Sequence, residues 1–143
     1  MQTTTSISFS EFLASFEWVS AALPCENEAY VNRISGNILY SSNSNEVEEV
    51  LPLDIEDETV FVTVPNKRDL DLGRGLALRF VEEHLPESYV FVHGFFRSGG
   101  AYARFKDLLE RKNQLENWYA FEKTAVEQSL REWSAENGLQ LKP

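Results

Sequence analysis

A chain of 143 residues suits one domain spanning 1–143, large enough to bury a core without metal or disulfide help. Its 43% apolar content supplies that core, its apolar runs are too short for a membrane span, and its single cysteine, Cys25, excludes an internal disulfide. The net charge of −10 opposes nucleic acid and anionic membranes, and it is lopsided: residues 1–65 hold 11 acidic residues against one basic, Arg33, whereas residues 66–143 hold 12 of each.

The opening MQTTTSIS lacks the basic and apolar regions of a signal peptide, and a lone thiol fits a reducing compartment. Both point to the cytoplasm. The first predicted element is an amphipathic helix over 9–23. Ser8 and Glu11 make an S-x-x-E capping box, Ile7 can staple to Phe12, and Phe9, Phe12, Leu13, Phe16, Val19 and Leu23 form one apolar stripe ended by Pro24. A hairpin follows, with Glu28–Ile34 and Asn37–Ser41 flanking a turn at Ser35 and Gly36. Residues 41–58 read as an acidic loop, and a third strand runs from Thr59 to Val64 with Val60, Val62 and Val64 on one face.

Pro65 closes that strand, and Asn66 with Asp69 predicts the start of a helix over 67–85, weakened by Gly73 and Gly75. Residues 86–97 read two ways. Tyr89–His93 has strand propensity, whereas Pro86 followed by Glu87 has the form of a helix start. After Ser98, Gly99 and Gly100 come a helix over 101–112 and, behind an Asn113 and Glu116 capping pair, a helix over 114–137 with Gly138 as its C′ residue. The tail Leu139–Pro143 reads as frayed. The predicted fold is therefore α+β: an N-terminal helix, a three-stranded antiparallel meander, and three or four helices over 66–138. Gly75, Arg79 and Phe80 recur 25 residues later as Gly100, Arg104 and Phe105, which raises the idea of a helical repeat. Trp18 and Phe121 fall off the apolar stripes and either cover the sheet or line a contact in a homodimer.

Catalytic chemistry finds little to stand on. The two histidines, His84 and His93, have no partner at metal-ligand spacing; His84 suits a helix C-terminus and His93 a packed position. Cys25 follows the negative end of a helix and lies beside Glu26 and Glu28, the wrong surroundings for a reactive thiolate. There is no Gly-x-Ser-x-Gly elbow. Asp69 and Asp71, or Glu82 and Glu83, look like solvated helix faces. Gly73-Arg74-Gly75 lacks the third glycine of a dinucleotide fingerprint, Leu78 standing there instead. The sequence implies no cofactor and no metal.

Two charge features carry function. The loop residues Glu46, Glu48, Glu49, Asp54, Glu56, Asp57 and Glu58 make a negative surface, either simply solvated or turned toward a basic protein partner. Arg74, Arg79, Arg97, Arg104 and Lys106 are the alternative, an anion site near Gly99 and Gly100 for a phosphate-bearing ligand, unless these cations serve only to balance the acidic first half.

The runs LDLGRGLALRF (Leu70–Phe80) and GAYARFKDLLE (Gly100–Glu110), with Glu28, Ala29, Tyr30, Trp118 and Tyr119, resemble a bacterial family of small acidic proteins catalogued only as uncharacterised. The resemblance covers about Phe16 to Gly138. It implies a free-standing cytoplasmic domain and a helix over 87–97, and it brings no activity, cofactor or catalytic set. The sequence thus points to a non-enzymatic protein–protein interaction or regulatory domain with an acidic N-terminal surface. No membrane association is expected, and nucleic acid is disfavoured.

Overall fold

The computed structural model describes residues 5–21, 26–42, 51–97 and 99–143. The elements in chain order are β1 (Thr5–Ser8), α1 (Phe9–Ser20), β2 (Asn27–Asn32), β3 (Ile38–Ser42), β4 (Phe61–Thr63), α2 (Arg74–His84), a 3₁₀ turn (Pro86–Ser88), α3 (Tyr89–Phe95), α4 (Ala101–Arg111), α5 (Leu115–Glu136) and β5 (Leu139–Lys142). The chain forms two compact units, one from Met1–Leu70 with Ser129–Pro143 and one from Asp71–Gln128. The division sorts the charge. The first unit holds 14 acidic and 5 basic residues, net −9, and the second 9 and 8, net −1.

In the first unit, α1 follows Ser8, whose extended backbone suits an N-cap. The capping-box bond is not made, because the Ser8 hydroxyl bonds instead to the Ser10 hydroxyl at 2.9 Å. Ile7, Phe12, Phe16 and Val19 are buried. Residues Leu23, Pro24 and Cys25 lie outside the described set.

The hairpin turn is built by Asn32. Its side-chain oxygen accepts from the amides of Ile34 and Ser35 at 2.8 and 3.0 Å, and Gly36 takes φ +79°. Glycine is required there twice over, since a Cβ at 36 would also sit 3.1 Å from the Ser6 carbonyl oxygen.

The three strands form an antiparallel sheet, but its order is β3-β2-β4, which corrects the expected meander. β4 pairs with β2 (Tyr30 opposite Thr63, Val31 opposite Val62) rather than with β3. Burial explains the order. Ala29 and Val31 of β2 are fully buried, whereas every residue of β3 is only half-buried, so β2 takes the centre. Trp18 packs edge-on against Tyr40 of β3 at 5.1 Å, so it covers the sheet.

The tail is a second correction. Leu139–Lys142 is not frayed: β5 pairs in parallel with β1, Thr5 opposite Leu139 and Ser8 opposite Lys142, with Leu139 and Leu141 buried. α5 closes on this region through Phe12 stacked on Trp133 at 5.6 Å and through Arg131, which lies over Phe9 and donates to the Leu141 carbonyl.

The second unit is helical. The Asn66 and Asp69 signal preceding it does make its reciprocal bonds, at 3.0 Å each, but they close a single turn and the helix starts only at Arg74. Asp71 at φ +51° interrupts the path, and Gly73 and Gly75 favour helix too weakly to bridge it. Residues 86–95 are helical, which resolves the two readings of that segment. Asn113 does not cap α5 as expected. It adopts φ +57° and ends α4, and the Trp118 amide bonds to Gln114.

The repeat is out of register, since Gly100 is the N-cap of α4 while Gly75 lies inside α2. Phe80 and Phe105 are nonetheless both fully buried, around Trp118 at centroid distances of 5.4 and 5.0 Å. Phe121 joins this cluster against Phe80 at 5.3 Å. The indole N–H of Trp118 is buried without a hydrogen-bond partner.

Candidate functional site

The first unit contains a cleft of about 720 Å³. β2 contributes Glu28 and Tyr30, β4 contributes Phe61–Thr63, and α5 contributes Trp133 and Asn137. The segment entering β4 adds Ile55, Glu56 and Glu58, and the turn after it adds Asn66 and Asp69. Strand alternation puts Glu28 and Tyr30 on one face of β2, and the Tyr30 hydroxyl donates to Glu28 Oε2, which fixes that carboxylate.

Asp57 shapes the entry to β4. Its Oδ1 accepts from the Thr59 amide at 2.9 Å and the Thr59 hydroxyl at 2.6 Å, and its carbonyl accepts from the amides of Val60 and Phe61. The two bonds from Thr59, side chain first, hold the Asp57 carboxyl below its ordinary range because they favour the charged form.

Among the described residues Arg33 is the one cation lining the cleft, and its side chain donates to main-chain carbonyls: Nε to Glu58 at 2.7 Å and Nη1 to Asn137 at 2.8 Å. Its charge is thereby held at the wall by two carbonyl dipoles instead of being spread along the rim. Four carboxylates remain around the cleft, on Glu28, Glu56, Glu58 and Asp69, with the aromatic surfaces of Tyr30, Phe61 and Trp133 beside them. Such a lining suits a cationic, partly apolar ligand such as a lysine or arginine side chain.

Of the acidic residues singled out in the sequence, Glu56 and Glu58 line this cleft, Asp54 and Asp57 are exposed nearby in the chain, and Glu46, Glu48 and Glu49 lie outside the described residues. Glu28, Asp69, Arg33 and the three aromatics were missed as site residues. The alternation of Glu28 with Tyr30 was the one sequence signal that could have placed a carboxylate on the aromatic face.

The five cations of the anion-site alternative all lie in the second unit. Arg74 Nη2 donates to His93 Nε2 at 3.0 Å, Arg79 reaches the Asp71 carbonyl at 3.5 Å, and Lys106 sits 5.8 Å from the centre of the Tyr119 ring. Arg97 and Arg104 are exposed, Arg97 just after α3 and Arg104 on α4. His84 stacks on Phe80 at 4.4 Å.

Among the described residues, no three His, Cys, Asp or Glu side chains group as a metal site, and no helix is long and apolar enough to cross a membrane. The profile of a family described as an uncharacterised protein family, UPF0158, matches residues 10–142. No curated protein and no solved structure matches the chain.

Proposed function

The chain belongs to the UPF0158 family, and from that premise we propose that it is a cytoplasmic, bacterial protein–protein interaction domain whose acidic unit takes a basic segment of a partner in the cleft between residues 28 and 69. The observation that carries this reading is the cleft itself. Among the described residues it has four carboxylates, three aromatic faces and a single cation already engaged by main-chain carbonyls. The net −9 of the same unit steers a basic partner toward it.

A synthetic lysine- and arginine-rich peptide tests the reading by titration calorimetry at low and high salt. Binding at low salt should weaken as salt screens the charges. The exposed pair Glu56→Gln and Glu58→Gln should lower affinity about threefold to tenfold, as two partly solvated ion pairs would. Absence of binding at low salt, or binding indifferent to salt and to both substitutions, overturns it.

A further inference from the structure

Within the second unit, α3 turns two large apolar side chains to solvent: Val90 is 84% exposed and Phe91 61%. They do not stand alone. Glu87 in the 3₁₀ turn, Val90, Phe91 and Gly94 on α3, and Arg97 in the turn after it recur at three- and four-residue spacing along one exposed face; Val92 is buried on the other side, and Phe95, buried beside the stripe, packs its ring against Phe91 at 4.8 Å. Trp18 and Phe121, the aromatics that the sequence offered for a dimer contact, are occupied within their own units. Among the described residues, Ile34, Leu53 and Tyr119 also stand exposed, but singly, whereas Val90 and Phe91 are adjacent on α3.

The stripe is self-complementary. Glu87 and Arg97 lie five residues either side of Val92, and Val90 and Gly94 lie two residues either side. Two such helices laid antiparallel about a two-fold axis level with Val92 set Glu87 of each against Arg97 of the other. They also set Val90 of each against Gly94 of the other. Gly94 is open ground, since a Cβ built there meets nothing within 4 Å, so it leaves room for the valine of a second helix to approach its backbone. The charge of the unit agrees: at net −1 it approaches a copy of itself almost without repulsion, whereas contact through the other unit would oppose −9 to −9.

We propose that this face of α3 is a homotypic docking surface, occupied by α3 of a second copy in antiparallel, isologous contact. The stripe is about 16 Å long at 1.5 Å per residue. It buries well under the roughly 800 Å² per partner of a standard interface. The dimer is accordingly weak and reversible, forming at about 100 μM or above.

Sedimentation velocity on the full chain from about 10 μM to about 1 mM tests this, a range that brackets a weak Kd. The expected result is a mass rising from monomer toward dimer across the range. Gly94→Leu should abolish the rise, while far-UV circular dichroism and a thermal melt report an intact fold, since nothing in its own chain opposes a side chain at 94. Glu87→Arg alone and Arg97→Glu alone should each weaken association at least several-fold, and the two together should restore it. A chain that stays monomeric throughout overturns the proposal. So does association indifferent to Gly94→Leu, or a double charge reversal no better than either single one.

Discussion

The guanidinium of Arg33 donates through Nη1 to the carbonyl of Asn137 at 2.8 Å, across 104 residues of sequence, while its Nε holds the Glu58 carbonyl at 2.7 Å. The sole cation of the first 65 residues thus ties the hairpin turn to the end of α5 and to the segment before β4. Arg33→Met keeps the aliphatic stem but strands two carbonyls. It should lower stability by about 1–3 kcal/mol, as charge-assisted bonds are worth. Urea denaturation checks this, with an unchanged midpoint as the contrary result.

Thr59 sets the ionisation of Asp57. Its hydroxyl and amide hold the carboxyl down, so this contribution to stability is complete above the unfolded-state value, near 4. It is lost as pH falls through the depressed folded-state value. Thr59→Ala should move Asp57 back up toward the ordinary range in a carboxyl NMR titration. It should also lower stability at neutral pH by more than it does at the acid end. An unmoved titration would show that the hydroxyl is not the cause.

Gly75 is pinned by Asp71. A Cβ at 75 would lie 2.3 Å from Asp71 Oδ1, so alanine there must displace a carboxylate whose backbone is already at φ +51°. Alanine would ordinarily strengthen a helix by up to about 1 kcal/mol relative to glycine. Gly75→Ala should instead be close to neutral, because the exposed Asp71 carboxylate must first swing aside, and the helix gain should appear once Asp71→Gly removes the obstacle. A double-mutant cycle by thermal unfolding reads the coupling, and simple additivity would refute it.

Leu141 reports on β5. It is 7% exposed in a strand paired to β1. Leu141→Ala should therefore cost about 2–4 kcal/mol, as buried leucines do. A frayed end would give close to nothing.

Strong local patterns were readable from the residues. α4 and α5 fall within a residue or so of the limits that their apolar spacing and Gly138 suggest, and the hairpin turn sits where Ser35 and Gly36 place it. What escaped depended on partners far along the chain. The LQLK of β5 alternates cleanly, with Leu139 and Leu141 in and Gln140 and Lys142 out, but four residues form a strand only because β1 lies beside them. Likewise, nothing near β4 says that its neighbour is β2 rather than β3; burial of Ala29 and Val31 decides. The Asn66 and Asp69 bonds were legible and formed, yet the helix they seemed to announce waits for Arg74. In the cleft, Glu56 and Glu58 were visible as part of a charge run, while Glu28, Asp69 and Trp133 join them only through folding.

The pairing of β1 with β5 also fixes an order of events during synthesis. The helical unit is one continuous stretch, Asp71–Gln128, and all of its residues have left the ribosome before Ser129 follows. The acidic unit needs residues from both ends, so β1 stays without its partner strand until Leu139–Lys142 emerge. Chains cut short before Leu139 would therefore carry a complete helical half and an unpaired β1 edge open to aggregation.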